Sequence, residues 1–193
     1  TKPSRSWVLD RRDDNGTTIG IATYYLVAGG SEPADYTWTF SVSEGASGGI
    51  YGLIGGDTSS VVNVSNGNAP SALFSSASPD ITTTRFSDLL IYTGGAGAGT
   101  VSTGPIGMSN GWDTAGASNI RSSSYYEFYG PKGATGNRAL IKSSSTAYVT
   151  NITALKALSG GADPTIGIKF GSFDISEDTG TWSEGLATRI ESI

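Results

Sequence analysis

The stretch Trp7 to Glu44, WVLDRRDDNGTTIGIATYYLVAGGSEPADYTWTFSVSE, decides the fold class, because three β-strands and their turns can be read in it. Trp7 to Arg12 is expected to be a strand that meets a turn at Asp13-Asp14-Asn15-Gly16, where the Asn-Gly pair tolerates the positive φ angles of tight hairpins. From Thr17 to Val27, the residues Thr17, Ile19, Ile21, Thr23 and Tyr25 alternate with Thr18, Gly20, Ala22, Tyr24 and Leu26, the two-residue period of a pleated strand. Gly29 to Asp35 breaks that period. Trp38, Phe40 and Val42 are then expected on one face, with Thr37, Thr39, Ser41 and Ser43 on the other, as a half-buried sheet requires.

Composition agrees with an all-β chain. Of 193 residues, 28 are Gly, 28 Ser and 22 Thr, which argues against long helices. Only 15% are charged, yet Val, Ile, Leu, Tyr, Trp and Phe recur in short runs, so a neutral, hydroxyl-rich surface is expected around one ordered core. The net charge of -5 and the scattered basic residues disfavour nucleic acid as a partner. Lys2, Arg5, Arg11 and Arg12 gather near the start and read as a solvated arm. Cysteine is absent, which excludes disulfides and thiolate metal sites. Histidine is absent too, which removes the usual general base, the Ser-His-Asp triad and most zinc and iron sites. A non-enzyme is therefore expected. No run of about 18 apolar residues is present, and TKPSRSW lacks the apolar core of a signal peptide, so a soluble chain with no membrane partner is expected.

Further along, Gly48 to Gly55 reads as a buried strand, Val61 to Val64 as a short edge strand, and Ser65 to Pro70 as a loop. Residues 71 to 84 read as irregular. Ser87 to Thr93 is a core strand closed by Gly94 to Gly99, an exposed tip; no helix-forming sequence follows that tip, which argues against a phosphate-binding loop. Pro105 to Ile120 is turn-rich around Met108 and Trp112. Ser124 to Tyr129 and Arg138 to Ser143 suggest a hairpin across Gly130 to Gly136, and Thr146 to Leu158 closes the main body. The expected architecture is an antiparallel β-sandwich, jelly-roll or immunoglobulin-like, over residues 7–158, with an N-terminal arm at 1–6. Ser159 to Pro164 marks a boundary. Beyond it, residues 159–193 form a strand-bearing tail, through Thr165 to Phe173 and Trp182 to Ile193, that is expected to pair with this domain or a neighbour.

Several side-chain groups suggest chemistry. Asp10, Asp13 and Asp14 offer oxygen ligands around a turn, as calcium would accept, but without the spaced acidic loop and bidentate glutamate of a calcium hand; hairpin chemistry explains them more simply. Asp174, Glu177 and Asp178 form a second acidic turn of the same kind. Glu127, set among Tyr125, Tyr126, Phe128 and Tyr129, is the carboxylate best placed for glycoside hydrolysis, yet no partner acid can be named and a sheet with one wet face is the simpler reading. Trp112 in Asn110-Gly111-Trp112-Asp113 is the candidate for stacking on a glycan, with a structural loop anchor as the plainer alternative. Trp7 and Trp38 are expected in the core. Asn15, Asn63 and Asn151 match the glycosylation pattern, Asn151 inside an expected strand.

The elements W-V-L-D-R-R from Trp7, A-T-Y-Y-L-V-A from Ala22, S-E-P-A-D-Y-T-W-T-F-S from Ser31, G-G-I from Gly48, G-x-D at Gly55 to Asp57 and A-L-K at Ala154 to Lys156 resemble a recurrent domain of bacteriophage virion proteins and bacterial surface proteins. The resemblance runs from about residue 5 to residue 158 and implies a β-sandwich module for structure or attachment, with no catalytic residues to carry over. Members of that family carry more sequence before the tryptophan strand, including an apolar strand, whereas six residues precede Trp7 here and the tail is additional. The expectation is that the tail supplies the missing strand, within one chain or between chains. The resulting functional expectation is a virion structural protein, a capsid decoration, tail or fibre component. It would work as a homo-oligomer with other virion proteins, with Ile166, Ile168, Phe170 and Trp182 as assembly anchors. A secreted or cell-surface carbohydrate-binding or adhesion module, with a host glycan as partner, is the alternative.

Overall fold

The computed structural model describes residue 3 and residues 5–40, 45–69, 73–97, 101–116, 120–157, 168–175 and 179–183. These contain no helix. The strands in chain order are β1 (Val8–Asn15), β2 (Ile19–Tyr25), β3 (Asp35–Thr39), β4 (Ala46–Leu53), β5 (Val62–Asn68), β6 (Leu73–Ala77), β7 (Thr82–Thr83) and β8 (Asp88–Ala96), followed by β9 (Val101–Thr103), β10 (Ser109–Ala115), β11 (Arg121–Tyr129), β12 (Gly133–Ala134), β13 (Ala139–Thr146), β14 (Tyr148–Leu155), β15 (Ile168–Ile175) and β16 (Thr179–Ser183). Every pairing is antiparallel. The largest sheet has five strands in the order β10-β11-β8-β14-β5; β6-β13-β9 form a second sheet, and β1-β2, β12-β7, β15-β4 and β16-β3 pair in twos.

The five-stranded sheet is buried on both faces at its centre. All nine residues of β8 are buried, glycines included, and β14 is buried from Tyr148 to Ala154. Side chains opposite one another in a ladder share a face, so the register Leu89↔Leu155, Ile91↔Thr153 and Thr93↔Asn151 defines one face and Leu90↔Ala154 and Tyr92↔Ile152 the other. On the first, Tyr51 and Leu53 of β4, together with Tyr126 and Leu155, pack against Leu89, Ile91 and Ala157. The β1–β2 hairpin lies against β5, β8 and β14 beside them. On the second, Ile81 packs on Leu90, Ile152 and Ala154, while Leu140 of β13 packs on Tyr92 and Tyr125.

Several hydroxyl and amide donors enter this core with their partners, while the Asn151 amide oxygen is buried without one. The Ser124 hydroxyl donates to the Tyr92 carbonyl at 2.9 Å, Thr150 Oγ1 to the Ala77 carbonyl at 3.2 Å, Thr153 Oγ1 to Asp10 at 2.8 Å, and Asn151 Nδ2 to Thr23 Oγ1 at 2.7 Å. Satisfied in this way, a polar group can be buried without the penalty an orphaned one incurs. The Ser and Thr content expected at the surface thus also furnishes the interior: Ser122, Ser123, Ser124, Thr93, Thr150 and Thr153 are all buried.

Several boundaries differ from the sequence expectation. Asp13 and Asp14 belong to β1, and the hairpin turns one step later, at Gly16 (φ +58°), where the Thr18 N–H reaches the Asn15 carbonyl at 3.1 Å. Ser65 to Asn68 are strand, not loop: they extend β5 along β14 from Ser65↔Thr153 to Asn68↔Thr150. Gly67 is needed there, since a Cβ would drive into the Arg11–Asp13 side-chain pair lying over it. The 71–84 region contains β6 and β7. Gly94 and Gly95 are buried strand rather than an exposed tip: Leu140 approaches Gly94 too closely for a side chain to be added freely, and Ile19 lies in ordinary contact distance of Gly95. The expected hairpin between Ser124–Tyr129 and Arg138–Ser143 does not form: β11 pairs with β10 and β8, and β13 with β6 and β9. Trp7 is buried just ahead of β1, 5.1 Å from Tyr36 and 5.6 Å from Trp38, which is half-buried; Val42 lies outside the described residues.

Candidate assembly surface

The C-terminal strands complete two strands of the body. All eight residues of β15 pair with β4, from Ile168↔Leu53 to Ile175↔Ala46, and the five of β16 pair with β3, from Thr179↔Thr39 to Ser183↔Asp35. Among the described residues these are the only ladder partners that β3 and β4 have. β4 gains more from such a partner than a strand rich in side chains would. It reads ASGGIYGL, and glycines in a strand forfeit side-chain packing and cost more backbone entropy to order.

What fastens β4 to the five-stranded sheet is a reciprocal exchange with β10. The Trp112 indole lies 4.8 Å from the Tyr51 ring, over the bare backbone of Gly49, and the Tyr51 phenol lies over Gly111; a Cβ at either glycine would strike the opposing ring. Tyr51 OH donates to Ser124 Oγ at 2.8 Å and Trp112 Nε1 to Ser122 Oγ at 3.3 Å, so both ring heads are satisfied. Burial pushes the Tyr51 phenol well above its ordinary pKa. Next to Trp112, Arg121 grips Asp113 through two bonds of 2.7 Å, and that carboxylate raises the guanidinium pKa further. A forked pair of this kind fixes the β10 edge more firmly than a single contact.

The expected assembly residues fall on this construction. Ile168 and Phe170 lie in β15 opposite Leu53 and Tyr51, and Trp182 in β16 opposite Tyr36; Ile166 is outside the described residues. Trp112 is not in a loop. It is a half-buried residue of β10, with its indole over Gly49 of β4.

The candidate calcium ligands do not converge. Asp13 is held by Arg11 through two bonds of 2.6 Å and Asp14 by Arg12 at 2.9 and 3.1 Å, while Asp10 accepts from Ser65 and Thr153. The Arg12 bond lowers the Asp14 pKa. Among the described residues no three His, Cys, Asp or Glu side chains gather as a metal would need. Arg11 and Arg12 are thereby paired, and Arg5 bonds the Ser31 carbonyl at 2.5 Å, so these three are not a free basic patch. Asp174 stands in β15 opposite Ser47; Glu177 and Asp178 lie outside the described residues. Glu127 is tied to Arg138, whose Nε donates at 3.0 Å and whose Nη2 donates to the same oxygen. Among the glycosylation matches, Asn151 is buried, Asn63 donates to Asp88 and accepts from Thr84, and Asn15 Nδ2 reaches the Tyr148 carbonyl at 3.3 Å.

Two buried charges escaped the sequence reading. Lys142 is 4% exposed, with Nζ 4.0 Å from the Tyr148 ring centroid and bonded to Thr146 O (3.2 Å) and Oγ1 (3.3 Å); burial pulls its pKa down to about 8. Its period-two relation to Leu140 in Leu140-Ile141-Lys142 was the available signal, since both point inward. Asp88 is fully buried at the start of β8, bonded by Asn63 through one oxygen while the other has no partner; burial raises its pKa, against the pull of Asn63 and the charges of Arg85 and Lys156.

No protein-family model, no curated protein and no solved structure matches the chain.

Proposed function

We propose that the chain is a non-enzymatic structural protein of a phage virion, a capsid decoration, tail or fibre component, built as an antiparallel β-sandwich of jelly-roll or immunoglobulin-like kind. It works by assembling with copies of itself and with other virion proteins. The observation that carries this reading is the completion of β3 and β4 by strands from the far end of the chain. Main-chain edge pairing of that kind is how sheet proteins recruit strands, and it needs no catalytic group. The resemblance of several sequence elements to virion and surface domains supports the same reading, as does the engagement of Asp10, Asp13, Asp14, Glu127 and Trp112 in internal contacts.

Sedimentation of the purified chain over a range of concentrations tests assembly, and an antibody against it tests the location. The expected results are a homo-oligomer and labelling of phage particles in electron micrographs. A stable monomer that binds glycans, and loses that binding in Trp112→Ala, would replace this reading with a secreted or surface carbohydrate-binding module.

A further inference from the structure

We infer that β15 and β16 are exchangeable, and that in the assembled state one chain donates them to β3 and β4 of a second copy. This rests on the assembly reading above and specifies how it is achieved. The donor is a continuous piece of chain, 168–183, whose two strands touch each other and take thirteen ladder positions on the body. The acceptors, β3 and β4, have no other ladder partner among the described residues. Whichever chain supplies the donor, the same residues meet in the same register, so the within-chain and between-chain forms share their hydrogen bonds and packing. Their free energies then differ only through the connection and the entropy of association, which makes exchange between identical copies a low-cost route to an oligomer.

The connection suits this. Residues 158–167 read LSGGADPTIG, and ten residues reach at most about 33 Å when extended, comparable with the size of a small domain. Two adjacent glycines and a proline also disfavour a strand continuing from β14 into the tail. The acceptor side is preset. Tyr51 and Leu53 seat β4 on the sheet, the Trp112–Gly49 contact holds it from β10, and Trp7 packs on Tyr36 and Trp38 of β3. A donor from any copy therefore meets strands that the body already holds, and each ladder bond it forms satisfies a main-chain group on the acceptor edge.

The absence of cysteine makes the exchange directly readable. Ser47 and Asp174 are opposite each other in the β4–β15 ladder. Full-length chains carrying Ser47→Cys alone and Asp174→Cys alone are mixed, assembled and oxidised, then separated under denaturing, non-reducing conditions; in parallel, the double variant is oxidised as assembled. Exchange predicts a covalent dimer of the 19.8 kDa chain in the mixture that neither single variant forms alone, and mainly interchain products from the double variant. Gly52→Cys with Lys169→Cys, the pair Lys169↔Gly52, repeats the measurement if the first pair disturbs folding. If the double variant closes only within its own chain while the protein still sediments as an oligomer, exchange is overturned and assembly by other surfaces stands. Within-chain closure in a protein that stays monomeric overturns both.

Discussion

The β8–β14 centre and the β3–β4 periphery are both sheet, yet they are held in opposite ways. β8 and β14 have a ladder partner on each side and covering layers on both faces, so each residue is fixed by main chain and side chain together. Among the described residues β3 and β4 have one ladder partner each, supplied from the far end of the chain, and a few aromatic contacts. On the proposed exchange, stability and assembly fall to different strands. The centre can carry the folding free energy while the periphery exchanges partners, since local opening is cheapest where buried contacts are fewest.

The largest break in that contrast comes from the centre. Leu90→Ala removes a fully buried side chain from the Ile81–Ile152–Ala154 cluster, and should lower global stability by about 3 kcal/mol in urea unfolding, with the slope unchanged. A loss confined to one region, with the midpoint kept, would show that the centre is not the cooperative unit.

A second, smaller effect comes from Lys142, which lies against Tyr148 of β14. Its folded pKa of about 8 is below the ordinary 10.5, so between those pH values the unfolded state binds more protons, and stability should rise with pH across that window. At 1.36 kcal/mol per unit the buried ammonium costs up to about 3 kcal/mol at neutral pH, and the Tyr148 ring contact offsets about 1 of it. Lys142→Met should therefore stabilise the protein by about 2 kcal/mol at pH 7, with the gain fading toward pH 10.5. Equal stabilities at both pH values would mean the ammonium is fully compensated where it sits.

Trp112→Ala sharpens the contrast from the other side. The indole is half-buried and serves β4, so about 1.5 kcal/mol should be lost locally: amide exchange should quicken in Ile50, Tyr51 and Leu53 while Leu90 and Ile152 keep their protection. Uniform quickening would place Trp112 in the global core instead.

The parts legible in the sequence were those where one face is wet. β2 announced itself by period-two alternation, β1 by the Asn-Gly turn that follows it, and β3 by alternating aromatics, because successive residues of β2 and β3 differ in polarity. β5 and the end of β8 were hidden by their own residues: Asn66, Gly67 and Asn68 carry turn chemistry, and Gly94 and Gly95 carry loop chemistry. Their glycines answer close approaches from elements distant in sequence, Arg11 and Asp13 over Gly67 and Leu140 over Gly94. Local propensity cannot register such approaches. The first tail strand was legible, while the second was expected from Trp182 to Ile193 and is found at Thr179–Ser183, with 184–193 outside the described residues; the partners were not legible, since pairing depends on register between segments more than 100 residues apart. Trp112 read as a loop residue because Gly111 precedes it, when that glycine is the seat for Tyr51.

The paired arrangement of Gly49 beneath Trp112 and Gly111 beneath Tyr51 has a consequence for how this sequence can diverge. Each ring and the glycine under it occupy a single shared volume, so neither position can change freely by itself. A lineage in which position 49 acquires a β-branched residue must first lose the indole at 112, and one that enlarges position 111 must give up the phenol at 51. Substitutions at these four sites should therefore be inherited in couples, a large residue gained on one strand for each one surrendered on the other.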